Sequence, residues 1–419
     1  MKQYIYPALS LLLFSSSLVA EEDWGDDDWG EKAPYQLRHE LSYGYAHILD
    51  DDSVNRENNV FNELRSKSQF DYQNVNYSFD LDLEVLIDQL TKENQINIYE
   101  VNFLFPFDGG TDLKIGRQVI TWGTGDLLFL NDLFPKDWQS FFNGRDDAYL
   151  KPPVDAIRLS HYARIVNFEI ALMPEFEADK VLTGERYSFY LPGSGIRQPV
   201  PELVINQPRQ AEVSARIFGR AEAIEWAIYA YGGYFKSPSE FDQMGNLSFS
   251  KMNSMGASLR MPLKGGLFNT EFVYYRSMDD AQGNDPYVQN SQTRFLLAFE
   301  KEIASNFTLG VQGYWEKTLD YQALLVNRLD GQPLPDENRT LVTLRLTHQG
   351  LRQRLMNSLM LFYSPSDEDH YVRYSSSYTL DDHWKLVAGV NLLDGNKEYT
   401  LLAQMQDNSN LFFRVSLFF

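Results

Sequence analysis

One pattern constrains this chain more than any other. Apolar and polar residues alternate with period two over runs of roughly 10–14 residues. Between Val60 and Tyr72, the residues Val60, Leu64, Phe70 and Tyr72 share one face, while Phe61, Glu63, Arg65, Lys67, Gln69 and Asp71 share the other. The next run sets Tyr77, Phe79, Leu81, Leu83 and Val85 against Ser78, Asp80, Asp82 and Glu84. Further on, Trp384, Leu386, Ala388 and Val390 oppose Lys385, Gly389 and Asn391. A strand turns successive side chains to opposite faces, so each run is a ribbon with one apolar and one charged side. Strands of a soluble sandwich average only ~5–6 residues. Runs of twice that length suit a tilted strand that crosses a bilayer. In lipid, only helices and closed barrels satisfy every backbone group. The mean hydropathy of -0.38 excludes a helical membrane protein, so the pattern predicts an all-β, transmembrane antiparallel barrel.

The aromatic content fits this reading. The chain carries 28 Phe, 25 Tyr and 7 Trp, more rings than a polar acidic protein needs for a water-soluble core. They fall near the ends of the runs, as at Tyr99, Phe103 and Phe105 or at Phe272, Tyr274 and Tyr275, where interfacial girdles are expected.

Connections are predicted to alternate between short and long. Short turns are expected near Asn74, Asp108, Arg164, Arg220, Lys264, Ala304, Gln349 and Asp381. Long loops are expected near 49–59, 88–95, 122–155, 174–209, 236–247, 278–292, 318–337, 365–369 and 393–409. Short periplasmic turns with longer outer loops are the signature of an outer-membrane barrel, and the strands between them number about 18. Segment 397–406 reads as loop, because an even strand count brings both termini to the periplasm. The last run places Leu411, Phe413, Val415, Leu417 and Phe419 on one face, and the chain stops on Phe419. That ending reads as the signal presented to the barrel-insertion machinery.

Three segments follow. Lys2, the apolar run from Ile5 to Val19 and the small Ala20 predict a signal peptide over residues 1–20. Residues 21–34 are an acidic tail in which Asp-Trp-Gly occurs twice. Such a charge block reads as disordered, and Trp24 and Trp29 would serve it as anchors for a periplasmic partner. Residues 35–419 form the barrel.

The charge excludes other classes. With 58 acidic against 37 basic residues, net -21, the chain lacks the cations a nucleic-acid binder needs. The absence of cysteine removes disulfides, Cys-ligated metals and thiol nucleophiles. No G-x-S-x-G elbow or H-E-x-x-H motif is present. Asp-His neighbours occur only in acidic turns, at His370 and His383. Neither an enzyme nor a cofactor is expected.

The polar faces supply the candidate path. Arg65, Lys67, Asp80, Asp82, Glu84, Glu212 and Arg216 fall on them in the first half. Glu271, Arg294, Arg345, Arg373, Lys385 and Arg414 do so in the second. Both signs occur, so no ion preference follows. Arg117 breaks the rule by sharing a phase with Leu113, Ile115 and Val119. An arginine in mid-bilayer costs ~2–4 kcal/mol, so either a bulge near Gly116 re-aims the strand or the apolar residues here face a packed lumen. Both options put Arg117 inside. The 122–155 segment is the expected constriction. Asp132 would cap a short helix with Pro135 in its first turn. Trp138, Phe141 and Phe142 would form an apolar side that folding into the mouth buries. Trp122, Asp126, Arg145, Asp146, Asp147 and Lys151 would then ring the opening. The 174–209 loop, with Pro192-Gly193-Ser194-Gly195, is a second lid.

Gly116-Arg117-Gln118, then Trp122-Gly123 and the Asn131-Asp132-Leu133-Phe134-Pro135 stretch, resemble an uncharacterised porin-like family of proteobacterial outer-membrane barrels. Val390 to Gly395 and Asp407 to Asn410 are similar as well. Members of that family are often associated with lipid-type RND transporters. In architecture the chain also resembles 18-stranded porins. The resemblance implies a barrel set among outer-membrane lipid and lipopolysaccharide, and a transport role. It leaves two readings open. One is a channel for a small or amphipathic solute. The other is a plugged barrel acting as a scaffold or accessory to a periplasmic or inner-membrane transport partner.

Overall fold

A computed structural model describes residues 33–50, 58–191, 196–199, 204–238, 240–241, 246–328, 335–397 and 399–419. The expected signal peptide and the tail with Trp24 and Trp29 lie outside the described residues, as does Pro192 to Gly195 of the second lid.

Eighteen strands close into one antiparallel barrel. The first seven are β1 (Tyr35–Ile48), β2 (Asn59–Gln73), β3 (Ser78–Asp88), β4 (Glu93–Phe107), β5 (Thr111–Gln118), β6 (Val154–His161) and β7 (Val166–Met173). A loop hairpin, β8 (Ser188–Leu191) with β9 (Ile196–Pro199), precedes β10 (Glu212–Ala221) and β11 (Ile224–Tyr234). A second hairpin, β12 (Glu240–Phe241) with β13 (Leu247–Ser248), precedes β14 (Lys251–Leu263), β15 (Gly266–Ser277), β16 (Gln292–Ala304) and β17 (Phe307–Thr318). The wall ends with β18 (Asn338–Gly350), β19 (Leu355–Ser364), β20 (Asp369–Thr379), β21 (Trp384–Gly395) and β22 (Asn410–Phe418). Each barrel strand pairs with the next, and β22 pairs with β1 from Glu40↔Phe418 to Ile48↔Asn410. Phe419 extends that seam, exchanging backbone hydrogen bonds with His39 at 2.9 and 3.0 Å. Among the described residues, no helix is long and apolar enough to cross a membrane.

The faces follow the alternation. Leu159, Ile170, Ile228, Met255, Phe272, Val311, Leu359, Leu386 and Leu411 point outward and are exposed, which only a bilayer makes favourable for so continuous an apolar belt. A girdle of rings sits toward the short-turn end, where Tyr77, Phe79, Phe103 and Phe105 stack in contact. Two rings expected in girdles turn inward instead. Tyr275 is buried and donates to the Leu130 carbonyl in the lumen. Tyr99 is the extra residue where the β3–β4 register shifts, and a bulge of this kind re-aims a side chain. Its ring meets that of Tyr149 inside, at 5.7 Å.

All eight short turns fall where expected. Lys264 and Gly265 show why they can be tight. Their φ angles of 48° and 75° are the positive pair that a two-residue type I′ hairpin requires. Two expected long loops are in fact tight, at 89–92 and 365–368. In the first, Asp88 Oδ1 accepts from the Leu90 and Thr91 amides at 2.9 and 3.3 Å, so the strands run on to the turn. The described residues of segment 397–406 form no strand: a short helix, Leu401–Gln404, lies there.

The core of the protein lies in the lumen. One apolar cluster joins Ile120, Trp122, Leu130 and Phe134 to inward wall residues such as Tyr229, Tyr275 and Leu296. A second joins Phe141 and Phe142 to Phe362, Tyr371, Tyr187 and Met405. Both are built on the segment between β5 and β6.

Candidate functional site in the barrel lumen

That segment, 119–153, leaves the wall and packs against its inner face. The departure comes after Gln118, the last residue of β5 paired with β6, and Gly116 just before it lets β5 lie close against β4. The φ of Gly116 is +121°, and a Cβ there would overlap the Val101 carbonyl oxygen. Trp122 is then buried, donating its indole N–H to Glu169 at 2.8 Å and packing edge-on against Phe134. Arg216 lies over its ring at 5.2 Å.

The next turn is held by Glu271 of β15. This carboxylate accepts from the backbone amides of Thr124, Gly125 at 2.7 Å and Asn131 at 3.2 Å, and from the Asn131 side chain at 2.7 Å. Charge-assisted hydrogen bonds are the strong ones, and here one buried carboxylate gathers several loop donors. The approach is close because the wall residue beneath is Gly256, where any Cβ would overlap the Asn131 amide oxygen.

The short helix Trp138–Asn143 follows. Its N-cap is Asp137, which accepts from the Ser140 amide at 2.8 Å, and its C-cap is Gly144 in the left-handed region. The expected cap, Asp132, is used otherwise. It pairs with Lys136 at 3.2 Å and Lys151 at 3.6 Å, and accepts from Thr121 at 2.9 Å. Pro135 therefore precedes the helix rather than opening it. Burial pushes the Lys136 amine below its usual range, against the pull of Asp132. Trp138, Phe141 and Phe142 do share an apolar side. Phe141 packs edge-on against Phe362 and Tyr371 of the inner wall, at 5.7 and 5.5 Å, and Trp138 donates to Asp179 at 3.0 Å.

Charged loop residues meet charged wall residues around this helix. Arg145 pairs with Glu63 and donates to Ser140 at 3.0 Å. Asp126 lies 3.0 Å from Arg345, and Asp147 lies between Arg345 and Arg373, at 3.6 and 3.5 Å. Asp146 is 3.9 Å from Lys385. Partial desolvation in the lumen raises the half-exposed Asp126 carboxyl above its usual range, with Arg345 opposing the shift and Asp147 adding to it.

The candidate lumen charges all face inward, mostly in pairs. Arg65 binds Glu84 at 2.8 Å, Lys67 binds Asp82 at 2.9 Å and Asp80 meets Lys114 at 3.4 Å. Glu212 holds Lys236 at 2.6 Å, Arg216 meets Glu169 at 3.4 Å and Arg294 holds Glu316 at 2.9 Å. Arg414 shares the inward phase with Phe412 and Ser416.

Arg117 is the exception. The β4–β5 register runs unbroken from Phe107↔Thr111 to Val101↔Arg117, so no bulge turns it inside. It keeps the outward phase of Ile115 at the very end of a short strand. Two carboxylates compensate it there, Asp155 at 3.3 Å and Glu177 at 3.0 Å.

Sequence reasoning missed Glu63, Arg186, Asp179 and Asn131 as parts of this arrangement. Glu63 and Asn131 stood in segments already singled out. Arg186, which pairs with Glu63 at 3.3 Å and with Asp88, and Asp179 come from the loop before β10, whose inward path nothing in its own pattern announces.

A cavity of about 590 Å³ lies beside the loop. Its lining is mainly apolar, from Leu128, Phe129, Leu133, Leu182, Phe189 and Leu341, with charges of both signs, among them Lys136, Lys236, Arg294, Asp132, Asp179 and Glu316.

No family profile matches the chain, and no curated protein does. Solved structures do resemble it. OccAB3 of Acinetobacter baumannii is similar with a TM-score of 0.55 at 9% identity, over 92% of this chain and 98% of that one. OccK5 (OpdH) of Pseudomonas aeruginosa gives 0.52 at 9%, covering 92% and 96%. OccK11 (OpdR) of the same organism gives 0.51 at 11%, covering 92% and 95%. At such identities the likeness is one of fold: the chain is an 18-stranded, porin-like transmembrane β-barrel.

Proposed function

We propose that this barrel is an outer-membrane channel for a small, amphipathic solute, constricted by the 119–153 loop. The observation that carries the reading is the apolar cavity beside that loop. A general porin for hydrophilic solutes gains nothing from a lumen lined by Leu128, Phe129, Leu133 and Leu341. Exposed apolar surface of this kind favours a ligand with an apolar portion, while the charged lining residues hold a polar one. Arg117 contributes at the rim of the wall, through the loop residue Glu177. Asp126, Asp146 and Asp147 set the charge beside the loop, against Arg345, Arg373 and Lys385.

The test is block of ion current. In planar bilayers, a short-chain amphiphile added below its critical micelle concentration reduces the KCl conductance of the wild-type channel, and Leu341→Arg weakens that block. Conductance that no amphiphile reduces contradicts the amphipathic assignment.

A further inference from the structure

The wall is not continuous at β4. This strand pairs with β3 along nearly its whole length, from Asp88↔Glu93 to Ser78↔Leu104. On its other side it pairs with β5 only from Val101 to Phe107. Strand β5 ends at Gln118 and the chain then turns into the lumen. Among the described residues, no backbone partner meets that side of residues 93–100. The free edge is roughly 26 Å long at about 3.3 Å per residue.

The lower part of this edge continues the apolar outward row, which ends at Asn94. The outward residues beside it on β3 are Leu83, Val85 and Ile87, which pair with Ile98, Ile96 and Asn94. Backbone groups at that depth must be paired or must line an aqueous opening. The opposite bank cannot supply a strand. Pro152 and Pro153 precede β6 and have no N–H to donate. Beyond Gln118 the β5 side is carried away by the turn that buries Trp122.

A cavity of about 710 Å³ occupies the gap. It is lined by Asn97 and Tyr99, on the lumen side of β4, and equally by Ile96 and Ile98, on the outward side. Ile96 and Ile98 are 76% and 50% exposed. Residues of both faces border one cavity here because no strand covers this edge of β4; loop residues Glu177, Lys180, Thr183 and Arg186 line it as well. The lumen ion pair Arg65–Glu84 and the outward Arg117 also border it.

We propose that this gap is a lateral portal, through which an amphiphile with a hydrocarbon chain moves between the lumen and the outer leaflet. The chain slides past Ile96 and Ile98, and the polar head stays with the paired charges of Arg65, Glu84, Arg117 and Glu177. The portal rests on the channel reading, and the two can fail separately.

The absence of cysteine allows clean labelling. Single variants Asn97→Cys and Gln95→Cys on the lumen face carry a bimane fluorophore in the full-length barrel, reconstituted with lipids brominated on their acyl chains. Ile98→Cys is the lipid-facing reference, and Thr343→Cys, inward on the closed wall, is the lumen reference. A portal predicts bromolipid quenching at residue 97 or 95 within about twofold of that at 98, and well above that at 343. Quenching at both 97 and 95 equal to that at 343 overturns the portal. KCl conductance of the wild-type barrel is recorded in the same lipids. Conductance without quenching removes the portal alone, whereas loss of conductance removes the channel reading beneath it.

Discussion

The Asn131 side-chain amide donates to the Glu271 carboxylate at 2.7 Å, tying a loop to the inner wall across 140 residues of sequence. The same carboxylate also takes the amides of Thr124 and Gly125. Replacing it removes several charge-assisted bonds at once, and the freed amides regain water only if the loop tip leaves the wall. Glu271→Ala therefore releases the loop tip. The expected outcome is a noisier channel of higher single-channel conductance, with the barrel destabilised by about 2–4 kcal/mol in urea unfolding.

Gly256 tests the same contact without touching charge. A Cβ at this position overlaps Asn131, so Gly256→Ala pushes the loop tip off the wall. Its conductance and noise should move in the same direction as those of Glu271→Ala. Because both variants act on one contact, the double variant should add little to either single one.

Selectivity depends on the loop carboxylates. Asp126 and Asp147 face Arg345 and Arg373. Removing the two anions leaves the guanidinium groups uncompensated in the lumen. The pair Asp126→Asn and Asp147→Asn should shift the reversal potential in a KCl gradient toward that of chloride, changing the permeability ratio by about twofold or more.

Acid should do part of the same work. Partial desolvation raises the Asp126 carboxyl above the usual carboxylate range, so it takes up a proton earlier than a free aspartate as pH falls. In that window the folded state binds more protons than the unfolded one, and stability from this group rises as pH is lowered. The ion pair with Arg345 is lost over the same window. Anion preference should therefore grow on acidification, starting above the ordinary carboxylate range, and Asp126→Asn should flatten that early portion of the titration.

Much of the barrel was legible because bilayer physics imposes a simple period. One face must be apolar and the other polar, so β2, β3, β21 and β22 could be read directly from their residues. The turn positions followed from the same counting, and 397–406 was separable from a strand. The failures occur where tertiary contact overrides period. Tyr99 is inverted by a one-residue bulge that alternation alone does not reveal. Tyr275 belongs to a run of two tyrosines, of which only the register tells the inward one. Arg117 broke the apolar phase and invited an inward placement. Its carboxylate partners, Asp155 and Glu177, are 38 and 60 residues away in sequence, so their compensation could not be read locally. Asp132 looked like a cap because it precedes a helix, but Asp137 stands immediately before Trp138 and takes that role.

The central claim is that a conducting lumen is narrowed by the 119–153 loop. Single-channel recording in planar bilayers, comparing the wild-type barrel with a variant lacking residues 124–150, tests it most directly. The account predicts a measurable wild-type conductance and a larger one for the deletion. A refolded barrel that conducts in neither form contradicts it.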